Sequence, residues 1–272
     1  MATPLEFFLY TVTNKQALLR VWTYTVSDRF GGDEMGQASN RLQGVSIITS
    51  TNRPHFFNNI LTNYNNQLYP VKELIITLNK DSMELSKYRK IAKKYKNVSV
   101  YKIPENKSLG SCLNYAVSKT KYPFITKFDD DDFYSPFYLK GQMKALHRSN
   151  ADVVGKRAYL AFLEARKLLV LRFPKQQNKF VSLVAGGTIL FKRHVFDRVR
   201  FPHVSLGEDI SFLWRCRAKG YRIYAPTPFN YVQIRRKNKK SHTWQGSDHY
   251  ILKGSRIFAR TDQFRKIATR QD

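Results

Sequence analysis

A chain of 272 residues is longer than a minimal domain and short for two large ones, which leaves one globular domain with an appendage. Hydrophobic residues at 42% and aromatics at 14%, with only 13 Gly and 10 Pro, allow a sizeable core and exclude a disordered, collagen-like or small disulfide-stapled chain. The formal net charge is +27, from 47 Lys and Arg against 20 Asp and Glu, and it speaks to partners and solubility rather than to fold.

That charge is unevenly placed. Residues 1–43 balance Lys15, Arg20, Arg29 and Arg41 against Glu6, Asp28, Asp33 and Glu34, so the whole excess lies after them. Within this neutral segment, residues 7–13 and 18–27 are rich in β-branched and aromatic side chains. They predict an appended β-hairpin, followed by a linker around Gly31, Gly32 and Gly36. No stretch approaches 18 uninterrupted apolar residues, and the N-terminus lacks the basic region and small-residue cleavage site of a secretory leader. Cys112 and Cys216 lie in segments with helical spacing and are expected as two buried, reduced thiols. Together these features predict a cytoplasmic protein, at most peripheral at the inner face of a membrane.

From Gly44 onward strands and helices alternate. Residues 45–50 form a continuous β-branched run, as a strand buried on both faces requires, and Asn52-Arg53-Pro54 ends it ahead of an amphipathic segment over 55–67. Strands are predicted at 73–78, 98–103 and 123–128, with helices at 83–95 and 109–119 between them. Three strand-helix-strand repeats argue for a mostly parallel sheet with helices on its faces, and for ligands at the carboxyl ends of its strands. The second half predicts strands at 152–162 and 168–173, a polar stretch to Lys179, a strand at 188–192 after Gly186-Gly187, a helix at 208–219 closed by Gly220, and a strand at 221–224. The main domain is thus expected over 44–228. Residues 229–272, with 11 basic and 3 acidic side chains, are expected as a basic loop and tail that contributes to the site.

The most informative feature is Asp129-Asp130-Asp131-Asp132, four of 13 aspartates gathered directly after an apolar strand. Like charges this close repel unless a cation compensates, and hard divalent ions such as Mg²⁺ and Mn²⁺ take carboxylates completed by water and phosphate oxygens. Glu208-Asp209 opens a predicted helix, where acids are ordinary as complements to the helix dipole. Beside a metal site, however, a separate carboxylate is what transfer from a diphosphate-linked donor to a hydroxyl needs. The metal offsets charge on the departing diphosphate, and the carboxylate takes the acceptor proton.

Over residues 45–242 the chain resembles the family 2 glycosyltransferases, enzymes of the α/β GT-A fold that use nucleotide-sugar donors. The resemblance rests on the opening strand with Asn52-Arg53-Pro54, on Leu109-Gly110 with Asn114 and Ala116, on Asp-x-Asp within the aspartate run, on Gly186-Gly187, and on Gly207-Glu208-Asp209 followed by Arg215 and Gly220-Tyr221. Each is weak alone; their order and spacing identify the family.

The resemblance implies roles residue by residue. Asp129 lies near the donor ribose and the metal, Asp131 binds the Mn²⁺ or Mg²⁺ that bridges the diphosphate, and His242 is a further metal ligand on a C-terminal loop. Asp130 and Asp132 add ligands or supporting contacts that sequence does not rank. Asp209 is the general base and Glu208 orients base or acceptor. Thr49, Thr51 and Arg53 line the nucleoside pocket, and Gly110 and Asn114 belong to the donor side. Where the family usually shows an acid that pairs with the base, this chain has Asn79-Lys80-Asp81, so Asn79 or Asp81 serves and the nucleoside stays open among UDP-, GDP- and dTDP-sugars. The expected reaction is inversion by single displacement, in the synthesis of a cell-envelope or surface glycan.

Two other classes compete. A nucleic-acid-binding protein would account for the charge and the aromatics, but the basic residues are spread along the chain and four adjacent aspartates repel phosphate; nucleic acid is not the expected partner. A metal-dependent phosphotransferase or nuclease would need carboxylates on several strand ends. The basic run Arg235-Arg236-Lys237 with Lys239-Lys240 is expected to face a glycan, lipid-linked or polyanionic acceptor, or an anionic membrane surface.

Overall fold

The computed structural model describes residues 43–271; the hairpin and linker expected before them lie outside the described residues. Strand β1 (Val45–Thr51) is buried on both faces, which is why its sequence does not alternate. Val45 and Ile47 join one core cluster with Leu74 and Ile76, while Ile48 joins a second with Ile75 and Leu113. Each such side chain, taken from water, contributes about 1.5–3 kcal/mol.

After a 3₁₀ turn at Pro54–Phe56 come helix α1 (Phe57–Asn65), β2 (Lys72–Leu78), α2 (Leu85–Ala92), β3 (Val98–Lys102), α3 (Leu109–Ser118) and β4 (Phe124–Lys127). The four strands lie in the order β3-β2-β1-β4, all parallel, so the chain reverses direction across the sheet between β1 and β4. Such a switch point leaves a crevice at the carboxyl ends of these strands, and the aspartate run follows directly from β4.

The second half extends this sheet and builds another. The strand expected over 152–162 divides in two. β6 (Val153–Val154) stays in the first sheet beside β10 (Leu190–Lys192) and β11 (Ile223–Ala225), with β9 (Lys179–Phe180) at its edge, whereas β7 (Tyr159–Leu163) enters a second sheet. The break falls where Gly155 packs so close to Val184 that a Cβ there would stand 2.6 Å from its Cγ2. The second sheet runs β13-β8-β7-β12-β5, from β5 (Phe133–Tyr134), β8 (Leu168–Arg172), β12 (Tyr231–Arg235) and β13 (Ser255–Arg260).

The segment expected as a basic tail is therefore part of the fold. β12 pairs with both β7 and β5, because Tyr231 and Val232 are apolar enough to be buried between them. Helix α4 (Tyr138–Ser149) was not expected. Its apolar side that includes Tyr138, Leu139, Met143 and Leu146 is interrupted by lysines that face outward, and these mask the helical spacing. The remaining helices are α5 (Arg193–Arg198), α6 (Glu208–Ala218), α7 (Asp248–Leu252) and α8 (Phe264–Ala268). Cys112 and Cys216 are free and buried, and among the described residues no helix is long and apolar enough to cross a membrane.

Candidate active site

The aspartate turn joins the two sheets and is held from three sides. Asn59 and Asn63, one turn apart on α1, donate their amides to the carbonyls of Asp130 (2.8 Å) and Asp132 (3.1 and 2.9 Å). Beneath it, Phe128 stacks on Tyr134 at 3.8 Å, and the Tyr134 hydroxyl accepts the Asp129 backbone N–H while donating to Gly187 O.

With the backbone so fixed, the four carboxylates differ in burial and in partners. Asp130 and Asp132 are 3% exposed. Asp130 accepts from Thr51 Oγ1 (2.6 Å) and takes both Nε and Nη2 of Arg53, which ties the turn to the end of β1. Asp132 accepts from the Tyr231 hydroxyl (2.6 Å) and the Ile234 N–H (2.9 Å), which ties it to β12. Burial first, then Asp131 and Asp129, push Asp132 well above the usual carboxylate range. The other two, Asp129 and Asp131, are less enclosed, and all four line the cavity.

Asp131 lies under a cap of cations. Its Oδ2 is 2.5 Å from Arg236 Nη1, 3.1 Å from Arg53 Nη1 and 3.6 Å from His242 Nδ1. Burial would raise its pKa, but the neighbouring His242 and the two guanidiniums outweigh burial and hold it below the ordinary value. The loop carrying His242 is drawn over the aspartates because Ser241 O accepts from both Arg53 Nη1 and Arg236 Nη2, each at 2.7 Å.

Burial above all, with Arg235 and Arg236, moves His242 toward its neutral form against the opposing pull of Asp131. Its Nε2 accepts the Arg236 backbone N–H at 2.9 Å, while its Nδ1 lies 3.0 Å from Arg236 Nη2. A neutral ring accepts at one nitrogen only, so these two contacts ask for opposite tautomers. In the tautomer that leaves Nδ1 free, one cation, the Arg236 guanidinium, sits on a carboxylate oxygen and an imidazole nitrogen together. That is the donor pair a divalent ion completed by phosphate oxygens can use. The residues therefore fit such an ion through Asp131 and His242. Asp129 does not join them, and among the described residues no three acidic, His or Cys side chains converge.

Asp129 instead meets Lys127, a residue sequence reasoning passed over. Lys127 is 5% exposed at the end of β4, with Nζ 2.6 Å from Asp129 Oδ1 and 3.8 Å from Glu208 Oε1. Burial disfavours its charge, but Asp129, Glu208 and Asp209 overcome this and hold the ammonium protonated. A lone lysine inside an apolar strand was the available signal, since a buried charge requires a partner. Glu208 is buried, and that burial above all pushes it up to about 7 despite Lys127.

Asp209 Oδ1 accepts the Ile210 N–H at 2.7 Å. A Cβ on Gly186 would lie 1.8 Å from Asp209 Oδ2, and one on Gly187 2.6 Å from Asp129 Oδ2. The paired glycines thus let two carboxylates approach the same stretch of backbone from either side.

These groups line one cavity of about 580 Å³, together with Thr51, Arg53 and Asn79. Other expected site residues lie elsewhere. Thr49 is fully buried within β1, and Asp81 is exposed, its Oδ1 accepting the Glu105 N–H. Gly110 packs against the 202–204 segment, where a Cβ would stand 1.8 Å from Pro202 O, and Asn114 exchanges two hydrogen bonds with the Phe201 backbone. Both act on the loop that leads to Glu208 and not on the cavity. The basic run also turns inward: Arg235 donates to Trp244 O and Gly246 O, Arg236 holds Asp131, and Lys239 pairs with Asp248. Of that run, Lys237 is the described side chain left exposed.

The sequence profile described as Glycosyl transferase family 2 matches residues 46–198. Over 167 residues the chain is 30% identical to the O-antigen biosynthesis glycosyltransferase WbnJ of Escherichia coli, a match that covers 58% of this chain and 65% of that protein. Its structure is similar to that of S. aureus TarS 1-349 in complex with UDP-GlcNAc, with a TM-score of 0.57 and 16% identity over 74% of this chain and 62% of that one. It is also similar to the mannosyltransferase PcManGT from Pyrobaculum calidifontis in complex with GDP-Man and Mn²⁺, with a TM-score of 0.55 and 18% identity over 71% and 57%. At these identities the structural likeness is one of fold, and the fold is the expected GT-A arrangement, a mostly parallel central sheet flanked by helices. The chain spans less than two thirds of the length of each of these relatives.

Proposed function

Because the chain belongs to glycosyl transferase family 2, we propose that it moves a sugar from a nucleoside-diphosphate donor to an acceptor hydroxyl, in the synthesis of O-antigen or another cell-surface glycan. The carrying observation is the meeting of two carboxylate sets in one cavity at the switch point: Asp131 beneath its cationic cap, and Glu208-Asp209 across the paired glycines.

In this reading the donor enters at the carboxyl ends of β1 and β4. Thr51, Arg53 and Asn79 face the nucleoside, and Asp129, fixed by Lys127, faces the ribose. Asp131 and His242 would hold a Mn²⁺ or Mg²⁺ ion, which would offset the charge gathering on the departing diphosphate. Arg236 and Arg53, already at Asp131, add charge-assisted hydrogen bonds to the phosphate oxygens.

Asp209 is the general base. Its Oδ1 is engaged by the α6 backbone, which leaves Oδ2 beside Gly186 to take the acceptor proton. The freed oxygen attacks the anomeric carbon as the bond to the diphosphate breaks, and that bond's electron pair leaves with the diphosphate. One displacement inverts the anomeric centre without a covalent enzyme intermediate. Glu208 faces Lys127 from the wall and positions Asp209.

The test is a thermal-shift screen of UDP-, GDP- and dTDP-sugars with Mn²⁺ or Mg²⁺. A true donor at 100 times its Kd stabilises the fold by about 2.7 kcal/mol. No response to any nucleoside diphosphate or nucleotide sugar overturns the reading. NMR of the product anomer tests inversion.

A further inference from the structure

The cavity has a second wall that the reaction above does not use. It is built on β7, β8 and β12 and is as basic as the first wall is acidic. Three arginines line it, Arg157, Arg172 and Arg235. None makes an ion pair among the described residues.

Arg172 is 4% exposed and Arg235 2%. The Nε and Nη1 of Arg172 and the Nε of Arg235 are buried without a hydrogen-bond partner among the described residues. Aromatic rings hold these cations in a continuous chain. Arg157 and Arg172 both lie over Phe173, at 4.1 and 4.7 Å, Arg172 is 5.5 Å from Tyr250, and Arg235 is 4.8 Å from Trp244. Trp244 and Tyr250 meet edge to face at 5.6 Å.

Ring contacts use the face of a guanidinium and leave its N–H groups to be answered separately; Arg235 answers two with Trp244 O and Gly246 O and keeps Nε orphaned, whereas Arg172 keeps Nε and Nη1 orphaned. An unsatisfied buried donor costs about 1–3 kcal/mol, and more when charged. Phe173 adds a further cost, since it has a φ of +46°, a conformation that bulky residues avoid and that clusters at ligand clamps. A wall that stores like charges, orphaned donors and backbone strain at one place is complementary to something absent from the chain itself. Two further atoms narrow the chemistry. Gln233 Oε1 is a buried acceptor without a partner, suited to a hydroxyl, and the exposed Trp244 and Tyr250 rings offer faces on which a sugar can stack.

We propose that this wall is the acceptor subsite and that the acceptor is an acidic sugar, carrying a carboxylate or phosphate that Arg172 binds through its unpartnered Nε and Nη1 and Arg235 through its Nε, with Arg157 at the rim. This rests on the transferase reading above and adds the class of acceptor to it. Planar, bidentate recognition of carboxylate or phosphate is what guanidinium does best, and it rejects a neutral analogue because buried donors are then left unpaired.

The test measures binding of methyl β-D-glucuronide, glycerol 3-phosphate and neutral methyl β-D-glucoside to the full chain by calorimetry, alongside UDP and GDP with Mn²⁺ on the same samples. Arg172→Met keeps the stem and removes the charge; Arg157→Gln, at a partly exposed position, is the second variant. At least one anionic probe is expected to bind tenfold or more tighter than the glucoside. That preference should fall tenfold in Arg172→Met and severalfold in Arg157→Gln, with nucleotide affinity kept within threefold. Equal binding of neutral and anionic sugars, or anion binding indifferent to both variants, overturns the proposal. If nucleotide affinity falls together with anion affinity, the arginines serve the donor diphosphate and the acceptor assignment is wrong. Failure of the wild type to bind any nucleotide removes the transferase reading instead, and leaves the anion measurement to be judged by the same variants.

Discussion

The two walls of the cavity solve the problem of charge in opposite ways. On the wall that ends β1 and β4, nearly every acid has a named cation or donor: Asp130 has Arg53, Asp131 has Arg236, Asp129 and Glu208 share Lys127, and Asp132 has Tyr231. On the wall built from β7, β8 and β12, arginines face aromatic rings and carbonyls, with no carboxylate paired to them among the described residues. Pairing offsets the desolvation cost of a buried charge, and a charge left unpaired is held at a cost by the rest of the fold. The first wall answers its own charges; the second is the one proposed to be completed by a ligand.

The sharpest way to test the acidic wall is Asp209→Asn. If Asp209 takes the acceptor proton, kcat falls by about 10²–10⁴ while nucleotide binding is retained, as steady-state rates and calorimetry would show. A fall in KM terms alone would move the base elsewhere. Next in size is Gly186→Ala, whose added methyl collides with Asp209 Oδ2. Displacing that carboxylate by about 1 Å should cost roughly 10² in kcat, with a much smaller change in melting temperature.

The third test contrasts the walls directly. Asp132→Ala leaves the Tyr231 hydroxyl and the Ile234 N–H without their acceptor and should destabilise the fold by about 1–3 kcal/mol in urea. Arg172→Met, on the other wall, removes an unpaired charge and should be neutral or stabilising. If both destabilise equally, the distinction between the walls fails.

The smallest effect is a pH dependence. Glu208 is raised from its ordinary 4.5 to about 7, so between those values the folded state binds the extra proton and the unfolded state does not. Its contribution is therefore fully present below about pH 4.5 and is lost as pH rises to about 7. Unfolding titrations of Glu208→Gln should lack this slope, and an unchanged slope would assign it to another group.

Much of the first wall was legible in the chain itself. Continuous β-branched runs, helices of amphipathic spacing between them and an acidic run after the fourth strand required a parallel sheet with its site at the strand ends, and β1 to β4 lie as those patterns demand. The second wall was not legible. Arg157, Arg172 and Arg235 are separated in sequence by other cations, and nothing local distinguishes a solvated arginine from one that will be enclosed. Gly110 and Asn114 show the converse, residues singled out for a ligand whose work in the fold is to hold the 201–204 loop.

What the sequence determined by itself was composition at a place: four carboxylates at one strand end, two more at a helix start, glycines between. Which of the four are enclosed, and which cations answer them, was decided by tertiary structure. Asn59 and Asn63 on α1 and Tyr134 on β5 pin one turn, and the pinned backbone brings each aspartate to its own set of partners. Pairing energy depends on separation and burial, and both are properties of the assembled fold rather than of neighbours along the chain.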